Sequence, residues 1–427
     1  MTMTSLGLDF GTTNTVATFA ENGAARAFQF RHENEAFSAF RSVLCFWKEL
    51  DDVVRSHRHE AGPWAIEQFL DLGGDCRFIQ SFKTFAASPL FYDTGIFGKR
   101  YAFEDLLSTF LKAVEKHADQ KFPKRVVIGR PVKFAGAQPD PELARKRYEN
   151  ALTAMGFDEI HHVYEPVAAA YFFAQRLAKE ATILVADFGG GTSDFSVVRF
   201  SPGARGLNFE ALGHSGVGIA GDAFDYRIVD HLISPMFGKG SYYTSWGKSL
   251  PIPDAYYSKF GKWNQLSIMK HTRDFTELQR LARFSLEPEK LEAFIQFLEA
   301  DAGYALNRAI TDLKIRLSGA ERATLSMHAE GLNIERDVSR ADFESWIAPD
   351  LAELDSAVGA ALRDANVAEE VIDRVFLTGG TSFIPAVREL FERRFGAPKI
   401  ETGDQLVSIA YGLALIAQEE DVSRWAA

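Results

Sequence analysis

Cysteine is nearly absent: Cys45 and Cys76 are the only two in 427 residues. That scarcity excludes a disulfide-stapled scaffold and a thiolate metal module, and it places the expected setting in a reducing, cytoplasmic compartment. Basic excess is missing too. The 47 Lys and Arg against 58 Asp and Glu leave a net charge of -11, so a general nucleic-acid surface is not expected, although local nucleotide binding remains open. No run of eighteen apolar residues occurs, and the stretch from Met1 to Asp9 has no basic run or long apolar segment. Neither a membrane span nor a signal peptide is therefore expected. Low-complexity tracts, charge blocks and Pro/Gly-rich linkers are also lacking. What is present, 46% hydrophobic and 25% charged residues, is enough for two or three domain-sized units with substantial cores.

The chain opens on a predicted hairpin. Leu6–Phe10 and Thr15–Phe19 are β-rich runs separated by a Gly-Thr-Thr-Asn turn, and a third strand is expected after Glu21-Asn-Gly23. Arg125–Gly129 reads as a buried strand, Pro141–Met155 as an amphipathic helix and Pro166–Lys179 as an alanine-rich helix. The alternation indicates an α/β fold. The first hairpin is echoed at Leu184–Val198, where strand, Asp-Phe-Gly, small polar turn and strand recur, with Asp9 and Asp187 a domain length apart. A third glycine turn, Thr378-Gly-Gly-Thr381, lies between a strand and a predicted helix Ile384–Arg394, and a last helix is expected at about 404–418.

These turns carry specific chemistry. Glycine lets backbone N–H groups approach phosphate oxygens, and threonine hydroxyls add neutral donors that do not compete for a metal. Two such loops, each following a strand-end aspartate, are suited to clamp one polyphosphate, with Asp9 and Asp187 holding Mg²⁺ through its hydration shell. A single Asp-Phe-Gly turn is ordinary loop chemistry; the pair together with Gly379-Gly380 is not.

Six ordered motifs then carry a resemblance that runs nearly end to end: Asp-Phe-Gly-Thr-Thr-Asn (9–14), Tyr-Glu-Pro-Val-Ala-Ala-Ala (164–170), Asp-Phe-Gly-Gly-Gly-Thr-Ser-Asp-Phe (187–195), Ala-Gly-Asp-Ala-Phe-Asp (220–225), Lys-Ile-Arg-Leu-Ser (314–318) and Leu-Thr-Gly-Gly (377–380). The chain resembles the nucleotide-binding domain of the DnaK-type seventy-kilodalton heat-shock chaperones, within the actin-like ATPases. The resemblance implies two duplicated ribonuclease-H-like lobes around a nucleotide cleft. Lobe I would span 1–180, with a small subdomain at about 37–102, and lobe II 181–427, with an inserted subdomain at about 226–305. It further implies ATP/ADP and Mg²⁺ as ligands. Gly11, Thr12, Thr13, Asn14 and Gly189, Gly190, Gly191 would serve the phosphates, with Thr192 beside them as a catalytic hydroxyl. Lys83 would reach the γ-phosphate, Glu165 and Asp194 would orient the attacking water, and Gly221, Lys314, Ser318, Gly379, Gly380 and Phe383 would hold the adenosine.

The sequence departs from the family at the adenosine. Thr311 stands where an acidic ribose ligand is usual, and Ile315 and Phe383 replace two basic residues that sandwich adenine, so stacking by Phe383 is the expected substitute. The chain is expected to lack the family's apolar linker and client-binding domain, and it is similar to the truncated, YegD-like branch. Slow ATP hydrolysis coupled to lobe closure is then expected. A filament-forming actin-like module and a sugar-kinase-like phosphotransferase are the competing readings. Lys239–Trp263, with seven aromatics, four lysines and one acid, stands in for the exchange-factor-docking region and reads either as packed aromatics or as the surface for a protein partner or co-chaperone.

Other motifs fail on context. Gly216-Val-Gly-Ile-Ala-Gly221 has no acidic residue about twenty positions on, Gly247-Lys248-Ser249 lacks the leading glycine of a P-loop, no His-Arg-Asp loop accompanies Asp-Phe-Gly, and the histidines His161 and His162 near Glu165 read as structural, so the three are not expected to form a metal site.

Overall fold

The computed structural model describes residues 3–48, 57–72, 75–134, 138–174, 179–203, 206–261, 263–329, 332–401 and 407–425. It divides into two compact units, the first of Met1–Gly218, Leu354–Ser382 and Glu389–Ala427, the second of Ile219–Glu353 and Phe383–Arg388.

The first unit is built on two sheets that share a five-strand order, the first carrying in addition the short strand Ala39–Arg41. Strands β1 (Thr4–Phe10), β2 (Asn14–Glu21) and β3 (Ala24–Ala27) form an antiparallel meander, and β4 (Arg125–Arg130) and β5 (Glu159–Tyr164) add in parallel beyond β1. The second sheet repeats this order. Here β6 (Ala181–Phe188), β7 (Ser193–Gly203) and β8 (Gly206–Val217) make the meander, and β9 (Arg374–Thr378) and β10 (Ile400–Glu401) run parallel to β6. The duplicated hairpins of the sequence are thus interior strand pairs of two sheets that share one strand order. Central strands covered on both faces need continuous apolar runs, and Ile183-Leu-Val-Ala186 supplies one that is wholly buried.

Helices close the faces of these sheets. α1 (Pro141–Ala154) starts at Asp140, whose carboxylate accepts from the Leu143 N–H, with proline in the first turn; both are standard helix-start chemistry. α2 (Glu165–Ala174) begins directly at the end of β5, one residue before the expected Pro166, and its continuation toward Lys179 lies outside the described residues. α3 (Ser408–Ile416) is the core of the last predicted helix, whose first residues likewise fall outside the description. It presses closely onto both neighbours. A Cβ at Gly412 would sit 1.8 Å from the Ala168 carbonyl oxygen, and one at Gly7 2.2 Å from that of Ala410, so glycine sets the helix-to-strand distance. Ser5 Oγ donates to the Ala414 carbonyl at 3.3 Å and accepts from Gln418 at 2.6 Å.

A smaller antiparallel sheet of Val43–Lys48, His57–Ala61 and Cys76–Gln80 packs with the helix Gly62–Leu72. The short turn Phe82–Phe85 follows it. Phe82 is buried against Phe10 and Phe110, at ring-centroid separations of 5.2 and 5.6 Å. Burying a side chain of this size is worth about 2 kcal/mol, which anchors the turn that carries Lys83.

The second unit is mainly helical. Phe237, Phe260, Phe294 and Phe297 stack in its core, and Arg227 holds the buried Asp350 carboxylate through two bonds of 2.8 Å. In the aromatic-rich segment, Tyr256, Tyr257 and Phe260 are buried while Tyr242 and Trp246 are exposed, Trp246 completely. The segment therefore divides. Its second half is core, and its first half forms a hairpin, Tyr242–Ser245 with Lys248–Pro251. Gly247-Lys248-Ser249 lies at that hairpin's turn, and Gly216 lies within β8.

Candidate functional site

The site grows from the two hairpin turns of the first unit. At β1, Asp9 occupies the strand end and Gly11, Thr12 and Thr13 make the turn into Asn14, the first residue of β2. Gly11 is packed on its own turn: a Cβ there would lie 2.2 Å from the Asn14 carbonyl. At β6, Asp187 stands directly opposite Asp194 across the ladder, and the Gly189 N–H closes the turn on the Thr192 carbonyl at 2.9 Å. The two turns meet. A Cβ on Gly190 would come 1.8 Å from Thr13 Oγ1, so only glycine permits the approach.

Four carboxylates gather around one ammonium. Lys83 Nζ donates to Glu165 Oε1 at 2.7 Å, with both side chains almost wholly buried. Glu165 is held there because it begins α2 at the end of β5, beside Gly129, where a Cβ would lie 3.0 Å from the glutamate Cγ. Asp9, Asp187 and Asp194 share the electrostatic field of this pair. Burial raises the Asp9 carboxyl well above its ordinary value, with Glu165 and Asp187 adding to the rise against Lys83. Burial, then Glu165, pushes Asp187 to about 6, while the Thr378 hydroxyl, donating at 3.0 Å, and Lys83 oppose it. Asp194 is pushed to about 7 by burial, then by Asp187 and Glu165. Burial alone works to lower the Lys83 pKa, but Glu165, Tyr148 and Asp9 together leave it raised. Such opposed, mutually perturbed groups cluster where charge is bound or protons move.

The site therefore has more buried negative charge than its lysine neutralises, which suits a cation. Among the described residues, no three acids, histidines or cysteines are placed to chelate a metal directly. A hard divalent ion would instead take its ligands from phosphate oxygens and water, with Asp9 and Asp187 in the outer shell.

Gly379 follows β9 with φ +82, and a Cβ there would meet the Phe188 carbonyl at 1.9 Å. Its conformation and its surroundings both require glycine. Gly380 opens the short turn Gly380–Phe383, and Ser382 Oγ donates to the Gly379 carbonyl at 2.6 Å. The remaining expected residues lie in the second unit. Lys314 pairs with Asp225 at 2.7 Å and donates to the Gly221 carbonyl at 3.2 Å, and the Ser318 hydroxyl bonds the Lys314 carbonyl at 3.0 Å. The motifs at 220–225 and 314–318 are thereby joined. Phe383 and Ile315 are both largely exposed.

The Hsp70 protein family model matches residues 88–241 and 279–420, well over half of the chain. The chain belongs to the Hsp70 family. This Hsp70-family chain is 27% identical to the chaperone protein DnaK of Thermosipho melanesiensis over 419 residues, 96% of the chain and 58% of that relative. Against the DnaK of Deinococcus proteolyticus it is 24% identical, covering 97% of the chain and 59% of the relative. The DnaK of Guillardia theta gives 25%, with 96% and 59% covered. The chain thus spans just under three fifths of the length of the curated relatives it matches. Its α/β architecture is that of the Hsp70 and actin-like ATPase fold. No helix among the described residues is long and apolar enough to cross a membrane.

Sequence reasoning placed the acids, the lysine and the glycine turns but gave no role to Thr378 or Tyr148. Thr378 was within reach, since it sits in the Leu-Thr-Gly-Gly motif and its strand lies beside β6. Tyr148 belongs to no motif; only its burial beside Lys83 marks it.

Proposed function

We propose that this Hsp70-family chain binds Mg-ATP and hydrolyses it slowly to ADP and phosphate, using nucleotide-driven closure to regulate a partner. The observation that carries the reading is the meeting of the two glycine turns beside the Lys83–Glu165 pair, with three further carboxylates around it. Backbone N–H groups of Gly11–Thr13 and Gly190–Thr192 would hold the phosphate oxygens, with Gly189 closing the second turn. Mg²⁺, when bound, would neutralise charge on the phosphates and orient them. Lys83 then adds a fixed cation where negative charge develops. A water oxygen attacks the γ-phosphorus as the bond to the β–γ bridging oxygen breaks. Asp194, poised near neutrality, takes the water proton, and Glu165, fixed by Lys83, orients the water.

Gly221, Lys314, Ser318, Gly379, Gly380 and Phe383 are the proposed adenosine residues, on the strength of the resemblance. The exposed Tyr242–Pro251 hairpin, with Trp246 at its tip, is the proposed partner surface within 239–263. The paucity of thiols supports a reducing, cytoplasmic setting. ATP affinity by calorimetry and single-turnover hydrolysis of wild type beside Asp9→Asn, Lys83→Ala and Asp187→Asn test the site. Each variant is expected to lose about a hundredfold in rate; four equal proteins would end the assignment.

A further inference from the structure

The Lys83 turn is short, is preceded by Ser81 with φ +56, and lies outside any sheet. Something else must fix its lysine. The α1 helix supplies two consecutive candidates. Arg147, buried, donates from Nη1 to the carbonyls of Phe85, Ala86 and Ser88 at 2.8, 3.0 and 3.1 Å, and from Nη2 to that of Phe91. One guanidinium thus staples four carbonyls within the eight residues after Lys83, which a lysine lacks the planar fork to do.

Tyr148 is the next residue. Its ring lies edge-on to Phe10 and Phe103, at centroid separations of 6.3 and 5.7 Å, deep in the core. Phenylalanine would satisfy that packing. The hydroxyl is buried with no hydrogen-bond partner among the described residues, and the charged groups facing it are Lys83, Glu165, Arg130 and Asp9. Buried hydroxyls left unpartnered are costly, and buried waters commonly complete them.

On the reading of the site as a phosphate-transfer centre, we propose that Arg147 and Tyr148 are the positioning residues of Lys83. Arg147 fixes the segment that carries the lysine, and the Tyr148 hydroxyl ties the Lys83–Glu165 pair to α1 through one buried water. The pair is then held at a fixed height above the turns instead of swinging with its own loop.

The test is a double-mutant cycle on the intact chain, read first by thermal melting without nucleotide. Y148F is expected to lower Tm by about 2 °C in wild type and to leave it unchanged in a K83M background; E165Q serves if K83M does not fold. An equal shift in both backgrounds, or a rise in wild type, overturns the tie. In single-turnover and steady-state hydrolysis, Y148F and R147M should each lower kcat about fivefold with little change in KM, R147K recovering only part. Unchanged kcat in Y148F overturns the proposal. Failure of wild type to bind or hydrolyse ATP would instead sink the ATP reading, while the melting cycle still decides the tie.

Discussion

Asp194 offers a direct measurement of what the site costs the fold. Its carboxyl is raised from 3.8 to about 7, about 3 units, or about 4 kcal/mol of preference for the protonated form in the folded state. Between about pH 4 and 7 the folded protein holds a proton that the unfolded chain releases. The Asp194 contribution to stability is therefore fullest below about pH 4, falls as pH rises to about 7, and is at its lowest beyond that. Asp194→Asn removes the charge and keeps the shape, so it should stabilise the nucleotide-free protein most at pH 8. At about 2 °C per kcal/mol for a chain of this length, Tm should rise by about 4–8 °C there, and by about a third as much at pH 5. Melting followed by circular dichroism at pH 8, 6.5 and 5 gives the comparison. An offset that does not depend on pH, or a variant less stable at pH 8, would refute the reasoning. The same variant should hydrolyse ATP poorly, an instance of stability surrendered to a site.

Two further substitutions probe other parts of the structure. Gly190→Ala puts a methyl group 1.8 Å from Thr13 Oγ1 and must part the turns; ATP affinity by calorimetry should fall at least about tenfold, and an unchanged affinity would show that their contact is dispensable. In the aromatic segment, Trp246→Ala at a fully exposed position should leave urea unfolding unchanged, whereas Tyr257→Ala, wholly buried, should cost about 3–5 kcal/mol. Equal effects would contradict the division of that segment into hairpin and core.

The hairpins were legible in the sequence because their signal is local: a strand pattern, an acid, then small residues that only a tight turn requires. Their duplication extended further than the motifs suggested, to a five-strand order shared by both sheets. The pairing of Lys83 with Glu165 was not legible, since it joins a short turn to a helix start 82 positions away and no periodicity encodes such a meeting. The expected helix Ile384–Arg394 is found as Pro385–Phe395, shifted by one residue behind the turn Gly380–Phe383. In 239–263, composition alone gave the same weight to Trp246 and Tyr257. A β-hairpin followed by a tight helical turn changes the period midway, so burial there could not be read from spacing.

The bond from Ser5 to the Ala414 carbonyl spans 409 positions, which has a consequence for biosynthesis. Strand β1 cannot receive its covering helix until residues Ser408–Ile416 have left the ribosome. Most of the second unit, by contrast, is one uninterrupted stretch, 219–353, able to collapse while the first unit still waits. Closing so large a loop adds little entropy beyond a loop half its length, but it is slow. In the interval β1 keeps an uncovered apolar face, and a nascent chain with that face open is itself in need of protection from aggregation.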